Sequence, residues 1–192
     1  LDVYNKYISD YEKLISKEIK DTNLDIFMKM IKRDGKVLDL GCGTGTASLE
    51  LLKNGFAPFP IDASLEMTKV AETLLEIKPR QISFDEIDEH DFYHAIWANF
   101  SLLHIKKNKF SDILKQLFFA LKEGGILFFS LKRGVGESRD KLGRFYSYYE
   151  KSEVEKIIEK ASFQTKKFTE GVSIGLAGDK ESWIGFFCEK IG

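Results

Sequence analysis

The sequence predicts an α/β fold in which an open, doubly wound and mostly parallel sheet of about seven strands carries helices on both faces. The first observation is a short buried strand at residues 37–40, followed by a loop with glycine at every second position and by helical spacing from Thr46. The second is that strand-like and helix-like segments alternate after it. The third is that the last two strands, 163–169 and 182–190, follow each other without a helix, which predicts antiparallel pairing at one sheet edge.

Composition predicts a single domain of ordinary size and excludes several classes of protein. The chain has 192 residues, of which 43% are hydrophobic, and a net charge of −1, so no broad nucleic-acid-binding surface is expected. No apolar run reaches the length of a membrane span. Two cysteines, Cys42 and Cys188, predict neither a disulfide framework nor a zinc site, and no metal is expected. The charged first twenty residues carry no leader pattern, so a cytoplasmic location is expected.

Residues 1–33 are expected to form a helical cap ahead of a core at 36–190. Apolar side chains recur at helical spacing over residues 3–19, and a second helix begins near Asp21. The cap either covers a ligand site or only closes an edge of the sheet. In the first interpretation, Tyr11 is a candidate substrate contact.

The glycine loop predicts a cofactor pocket. Gly41, Gly43 and Gly45 allow a sharp turn and the close approach of a ligand, and the helix that follows offers free N–H groups to an anion. A dinucleotide fingerprint requires its third glycine at position 46, where Thr46 stands, so NAD is not expected. An acidic residue, Asp39, lies within the strand that precedes the loop.

The second predicted strand, 56–61, delivers Asp62 to the place where a carboxylate would hold both hydroxyls of a ribose. Asp39-x-Gly41-x-Gly43-x-Gly45 resembles motif I of the class I S-adenosylmethionine-dependent methyltransferases, and Ile61-Asp62-Ala63-Ser64-x-x-Met67 resembles their second-strand motif. The resemblance implies a Rossmann-like fold, S-adenosylmethionine as cofactor, and these cofactor-binding residues: Asp39, Gly41, Cys42, Gly43, Gly45, Asp62, Ala63, Met67, Phe84 and Asn99. The alternatives are that Asp62 only caps a helix and that the Met67 and Cys42 side chains only pack.

Two further segments resemble the family less closely. The resemblance places an adenine contact after the third strand, predicted at 80–84, and Phe84 is the candidate in a register that stays open between residues 83 and 86. It also places the exit of the fourth strand, from Asn99 onward, near the cofactor's methyl group and the substrate. His104 is a candidate general base, because imidazole titrates near neutral pH. The alternative, which we favour, is that His104 packs or bonds to backbone.

A charged, glycine-rich segment follows the fifth strand, and residues 132–143 are expected to form a mobile loop. Just beyond it, Arg144 stands between a glycine and an aromatic run that includes Tyr146. We hypothesise that the segment is a lid in which Arg144 binds an anionic acceptor and Tyr146 helps to exclude water. The alternative is an ion pair between Arg144 and a nearby acid. Three further cations are expected to be solvated: Lys132, Arg133 and Arg139.

The resemblance therefore implies an S-adenosylmethionine-dependent methyltransferase that acts on a small molecule by in-line transfer, with positioning in place of covalent catalysis. Two alternatives stay open. The chain could modify RNA or protein, which the near-neutral charge and the lack of an appended nucleic-acid module disfavour, or it could bind the cofactor without turnover. The sequence does not indicate the acceptor atom or the oligomeric state.

Overall fold

The computed structural model describes residues 21–75, 77–175 and 178–192. The helix expected at 3–19, with Tyr11, lies outside the described residues. The helices are α1 (Thr22–Met30), α2 (Thr46–Lys53), α3 (Leu65–Leu75), α4 (Lys107–Ala120) and α5 (Lys151–Lys160). The strands are β1 (Lys36–Leu40), β2 (Ala57–Asp62), β3 (Arg80–Gln81), β4 (Tyr93–Ala98), β5 (Leu121–Arg133), β6 (Glu137–Arg139), β7 (Phe145–Tyr149), β8 (Phe163–Ile174) and β9 (Lys180–Lys190).

The strands form one mixed sheet, which confirms the predicted fold class. The described strands run in the order β3-β2-β1-β4-β5, all parallel, and β9 pairs antiparallel with β5 while β8 pairs antiparallel with β9. Strands β2 and β3 are added on one side of β1, and β4 and β5 are added on its other side, so the strand order reverses between β1 and β4. In open α/β sheets, ligands bind at the carboxyl ends of the strands beside such a reversal.

Helices cover both faces because successive strand residues point to opposite sides. On one face, Val37, Trp97 and Phe128 pack with residues of α1, including Phe27, whose ring lies 5.2 Å from that of Trp97. On the other face, the neighbouring strand residues pack with apolar side chains of α4 and α5. The strands at the reversal are thus buried on both sides, so their carboxyl ends form a fixed edge for a site.

The predicted end of the third strand was wrong because a capping box sets the backbone there. The third strand was expected at 80–84, but it ends at Gln81, and Ser83 starts a capping box with Glu86 that closes a single 3₁₀ turn, Phe84–Glu86. A capping box satisfies free N–H groups locally and so competes with strand pairing.

The segment expected to be a mobile loop is partly sheet. β5 continues to Arg133, and β6 pairs antiparallel with β7, which in turn runs parallel to the end of β5. Because β9 pairs with the opposite side of Lys132, β7 lies on the β4 side of β5, beyond the end of β4. We call β6 and β7 the overhanging hairpin. It brings its side chains to the exit of β4.

Candidate active site

The glycine loop turns sharply at the end of β1. Gly41, Gly43 and Gly45 have φ angles of 77°, 53° and 86°, a region that side chains with a Cβ seldom adopt. The amides of Gly41 and Cys42 both donate to the carbonyl of Ile61, each at 2.9 Å. The loop is therefore fixed to β2 as it leaves the sheet, and Gly45 is the N-cap of α2.

The loop after β4 packs directly against the glycine loop. A Cβ placed on Gly41 would lie 2.6 Å from Cβ of Ser101, far inside contact distance. Glycine at this position is thus required by the close approach as well as by the backbone angle. The two loops meet at the point where the strand order reverses, and they form two walls of one site.

Asp62 joins the glycine loop to the end of β2. Its Oδ2 accepts a hydrogen bond from the amide of Gly43 at 2.9 Å, and its Oδ1 accepts one from the amide of Ser64 at 2.8 Å. Burial raises the pKa of Asp62, although these backbone donors oppose the rise. The bond to Ser64 turns the backbone before α3, but Asp62 is not the cap of that helix, contrary to the alternative interpretation. The helix itself is capped by Ser64, whose Oγ accepts from the amide of Met67 at 3.2 Å.

Asp39, on β1 just before the glycine loop, bonds to the helix that follows the loop. It is buried, and Ser48 of α2 donates to its Oδ2 at 2.6 Å. The pKa of Asp39 is raised to about 6, because burial and the charge of Asp62 together outweigh the lowering by hydrogen bonds from Ser48. The carboxyl therefore ties α2 to β1, and a direct contact with a cofactor stays a prediction.

The polar groups at the loop fit a cofactor with an amino-acid end and a ribose. Within the described residues, Thr44 Oγ1 and Ser101 Oγ are buried without a hydrogen-bond partner. The N-terminus of α2 presents backbone N–H groups, which suit a carboxylate. The Asp62 carboxylate is a hydrogen-bond acceptor of the kind that ribose hydroxyls need.

The remaining residues predicted to bind cofactor lie around this loop. The Cys42 side chain packs with Ala71 and Leu75 of α3, and burial raises the pKa of its thiol, so the thiol is no nucleophile. Met67 is buried at the start of α3, and Phe84 is partly buried against the main core cluster. Ala63 follows Asp62, to which its amide also bonds. Their contacts with a cofactor stay predictions.

Asn99 was expected to bind the cofactor, and its side-chain amide is bonded to two other residues of the protein. Its Nδ2 donates to Asp21 Oδ2 at 3.1 Å, and its Oδ1 accepts from Ser130 Oγ at 2.6 Å. Both polar atoms of the amide are thus used by the protein. Asn99 thus connects the N-cap of α1 to β5, and its contact with a cofactor stays a prediction.

His104 is held under the overhanging hairpin. Its Nδ1 lies 2.7 Å from the carbonyl oxygen of Phe145, which requires a proton on Nδ1. Burial lowers its pKa to about 4, and the nearby charges of Arg144 and Lys132 contribute. The ring is therefore neutral at pH 7 and bonded to backbone, as the favoured alternative proposed, and it is a weak base in this state.

Two cations flank Tyr146 in the hairpin. Lys132 Nζ lies 3.3 Å from the centre of the Tyr146 ring, and the Arg144 guanidinium lies 5.2 Å from it. The alternative for Arg144 is borne out in part, because its NH2 and Nε bond to Asp140 Oδ2 at 2.6 and 2.8 Å. Lys132 was expected to be solvated; it is instead buried, with Nζ 2.5 Å from Glu181 Oε1. Arg133 and Arg139 are exposed, as expected.

A family model described as a methyltransferase domain matches residues 7–166, which is more than half of the chain. The chain belongs to the class I S-adenosylmethionine-dependent methyltransferases. The predicted family and cofactor are thereby confirmed.

Several proteins are similar to this methyltransferase. Carboxy-S-adenosyl-L-methionine synthase of Campylobacter fetus subsp. fetus (strain 82-40) is 31% identical over 132 residues, which is 66% of this chain and 53% of that protein. The chain thus spans about half the length of the curated relatives that it matches.

Two solved structures share the fold at low identity. Burkholderia thailandensis 1,6-didemethyltoxoflavin-N1-methyltransferase, with bound 1,6-didemethyltoxoflavin and S-adenosylhomocysteine, has a TM-score of 0.76, 17% identity, and coverage of 100% of this chain and 88% of that one. Haemonchus contortus phosphoethanolamine N-methyltransferase 2, in complex with phosphomonomethylethanolamine and S-adenosylhomocysteine, has a TM-score of 0.74, 16% identity, and coverage of 98% and 58%.

Reasoning from the sequence missed three residues that shape this methyltransferase's site: Ser101, Lys132 and Asp21. Ser101 gave no signal apart from its place after a predicted strand. Lys132 looked like one of several charges beside glycines. Asp21 was recognised only as a residue near which a helix begins. Each depends on a contact with a residue far away in sequence.

Two searches concern other kinds of site. No helix in the described part of the chain is long and apolar enough to cross a membrane. Over the same residues, no three His, Cys, Asp or Glu side chains are grouped so that they could hold a metal ion.

Proposed function

We propose that this methyltransferase transfers the methyl group of S-adenosylmethionine to a small anionic acceptor. The observation that carries the proposal is the hydrogen bond between the Gly43 amide and the Asp62 carboxylate. It joins the glycine loop to the end of β2 beside the N-terminus of α2. The two parts of a nucleoside cofactor, its ribose and its charged amino-acid end, each have a matching group there.

The cofactor's position follows from these groups. Asp62 would hold the ribose hydroxyls, and the N-terminus of α2 together with the Thr44 hydroxyl would hold the amino-acid end. Met67 and Phe84 lie on the β2–β3 side, where soft and aromatic side chains suit an adenine ring. The amino-acid end then lies toward Ser101 and the exit of β4.

The reaction requires little covalent help from the protein. Bound S-adenosylmethionine supplies a methyl group on a positively charged sulfur, which an acceptor lone pair can displace in line. Holding two reactants in the correct geometry can lower a barrier by about 7–11 kcal/mol. The chain's own contribution is to align the acceptor and exclude water. His104, neutral and bonded to the carbonyl of Phe145, would contribute as a fixed side chain that borders the site and not as a base.

An anionic acceptor is supported by two cations beside Tyr146 of the overhanging hairpin. Arg144 and Lys132 are both buried, and both lie against Tyr146. Their present partners, Asp140 and Glu181, are carboxylates, so the site already accommodates anionic oxygen at both cations. The planar guanidinium of Arg144 offers several N–H donors. An acceptor carboxylate or phosphate could therefore bind it next to Asp140, or could take the place of Asp140. The Haemonchus neighbour was solved with a phosphorylated ligand, which agrees with this class of acceptor.

A second candidate follows from the Campylobacter relative. That protein is named a carboxy-S-adenosyl-L-methionine synthase. If this chain shared that activity, S-adenosylmethionine would be a substrate that leaves as its carboxylated form, and no methyl group would reach another molecule. Action on RNA or protein is disfavoured by the net charge of −1.

Isotope tracing separates these functions. Purified protein is incubated with S-adenosylmethionine labelled in the methyl group and with a cell extract divided into small-molecule, RNA and protein fractions. We expect mass spectrometry to find the label in an anionic small molecule, together with S-adenosylhomocysteine. Label in RNA or protein, or a carboxylated cofactor, would replace the proposal. Incubation without the protein is the control for each fraction, and Asp62→Ala should label the acceptor more slowly at low cofactor concentration.

A further inference from the structure

Asp21 makes two kinds of contact at the start of α1. Its Oδ1 caps the helix by accepting from the amides of Asn23 at 2.9 Å and Leu24 at 3.3 Å. Its Oδ2 accepts from Nδ2 of Asn99, which is 78 positions away in sequence. The N-terminus of α1 is thereby tied to the exit of β4.

The orientation of the Asn99 amide is set by Ser130. Ser130 Oγ accepts a hydrogen bond from the amide of Phe100 at 2.8 Å, so its own proton is available for Asn99 Oδ1 at 2.6 Å. The Asn99 oxygen therefore faces Ser130 and its nitrogen faces the Asp21 carboxylate. Ser130 is fully buried on β5, so the arrangement has a rigid base.

These contacts hold a strained backbone next to the cofactor loop. Phe100 has a φ angle of 53°, which is costly for a residue with a Cβ. Ser101 follows directly and packs on Gly41. If Phe100 relaxed to an ordinary backbone angle, Ser101 would shift against the glycine loop.

We infer that Asn99 is a positioning residue, which locks helix α1 to the loop after β4 and so keeps the glycine loop in its cofactor-binding shape. The mechanical link, from Asp21 through Asn99 to Phe100, stands by itself. Its effect on S-adenosylmethionine rests on the proposed function. The two parts need separate measurements.

Hydrogen exchange tests the mechanical link without any ligand. Asn99→Asp places two carboxylates face to face, and Asp21→Asn places two amide nitrogens face to face. In each variant we expect amide exchange to rise by roughly tenfold in α1 and in residues 99–105 together. The double variant, Asp21→Asn with Asn99→Asp, again pairs an amide with a carboxylate and should return both segments toward wild-type exchange. Faster exchange in one segment only, or no recovery in the double variant, would overturn the link.

Cofactor affinity tests the consequence. Calorimetry with S-adenosylmethionine should show a Kd raised by roughly tenfold in each single variant and recovered in the double variant. Asn108→Asp, on the exposed start of α4, is the matched control for an added charge and should bind like wild type. A purely structural role predicts a lower melting temperature with unchanged Kd well below melting, and that result would contradict the inference.

Failure of this inference and failure of the proposed function give different results. If wild type does not bind S-adenosylmethionine, the proposed function fails and the exchange data still decide the link. If Asp62→Ala loses binding while both single variants keep it, the proposed function stands and the role of Asn99 is wrong. If Asn99→Asp does not fold, Asn99→Ala removes the same contact without adding a second carboxylate. Amide exchange and cofactor affinity equal to wild type in Asn99→Ala would overturn the inference.

Discussion

The amide of Gly43 donates to Asp62 Oδ2 at 2.9 Å, across 19 residues of sequence. This hydrogen bond connects the loop that follows β1 with the end of β2, so the two motifs expected to hold opposite parts of a cofactor form one structure. The raised pKa of Asp62 reflects its burial there. A ribose would therefore meet a carboxylate that the backbone has already oriented.

Gly41→Ala should destabilise the protein more than Gly55→Ala does. The two glycines have nearly the same φ, 77° and 81°. Alanine in this left-handed region should therefore destabilise both folded variants by about 1–2 kcal/mol. Only at Gly41 does the new Cβ meet another group, Ser101 at 2.6 Å, whereas nothing lies within 4 Å at Gly55. Urea unfolding should show an additional loss of about 1–3 kcal/mol at Gly41. Equal losses would mean that the two loops do not pack as described.

His104 should make stability depend on pH. Its pKa is lowered to about 4 in the folded protein, against an ordinary value of 6.5, so the neutral ring is favoured by folding. Its contribution is complete above about pH 6.5 and is lost as pH falls through 4. Relative to His104→Asn, whose Nδ2 can still donate to Phe145, wild type should lose about 2–3 kcal/mol between pH 7 and pH 4.

The comparison of wild type with His104→Asn is necessary because Asp39 acts in the opposite direction. Its raised pKa, about 6, gives a contribution that is present at low pH and is lost as pH rises through 6. Urea unfolding of both proteins at several pH values cancels this effect. If the two curves run parallel from pH 7 to pH 4, His104 is not buried in its neutral form.

Arg144→Ala should raise the KM for the acceptor by about tenfold or more, with the Kd for S-adenosylmethionine unchanged. The estimate assumes the loss of one charge-assisted contact of about 1.5–3 kcal/mol. Steady-state kinetics with the acceptor found by isotope tracing makes the measurement. Arg133→Ala is the control, because that side chain is exposed and forms only surface ion pairs. An unchanged KM in Arg144→Ala would contradict a role in acceptor binding and would indicate that Arg144 serves the structure, through contacts such as its ion pair with Asp140.

The fold and the cofactor side of the site could be predicted because their signals are local. The glycine spacing at 41–45 and the acid at position 62 need only their own strand–loop–helix context, and the structure places both at the expected sheet edge. Helical and strand periodicity gave the parallel core and the antiparallel end. Such patterns are set by which residues must be buried on each face.

The acceptor side could not be predicted in the same way. Lys132 contacts Glu181 across 49 residues, and nothing in either segment of sequence indicates the other. The overhanging hairpin was predicted to be a loop because glycines and charges are typical of loops. It forms because the end of β5 offers an unpaired edge to β7. The bond between Asn99 and Asp21 could not be predicted either, because the two residues are 78 positions apart.

The most direct test of the central claim is calorimetric titration of S-adenosylmethionine into wild type, Asp62→Ala and Asp112→Ala. Asp112 is an exposed carboxylate on α4, so its variant controls for the loss of a charge. We predict that Asp62→Ala folds and binds more weakly by about 1.5–3 kcal/mol, which corresponds to roughly 10-fold or more in Kd, while Asp112→Ala binds like wild type. Wild-type affinity in folded Asp62→Ala, or binding of NAD without binding of S-adenosylmethionine, would contradict the account.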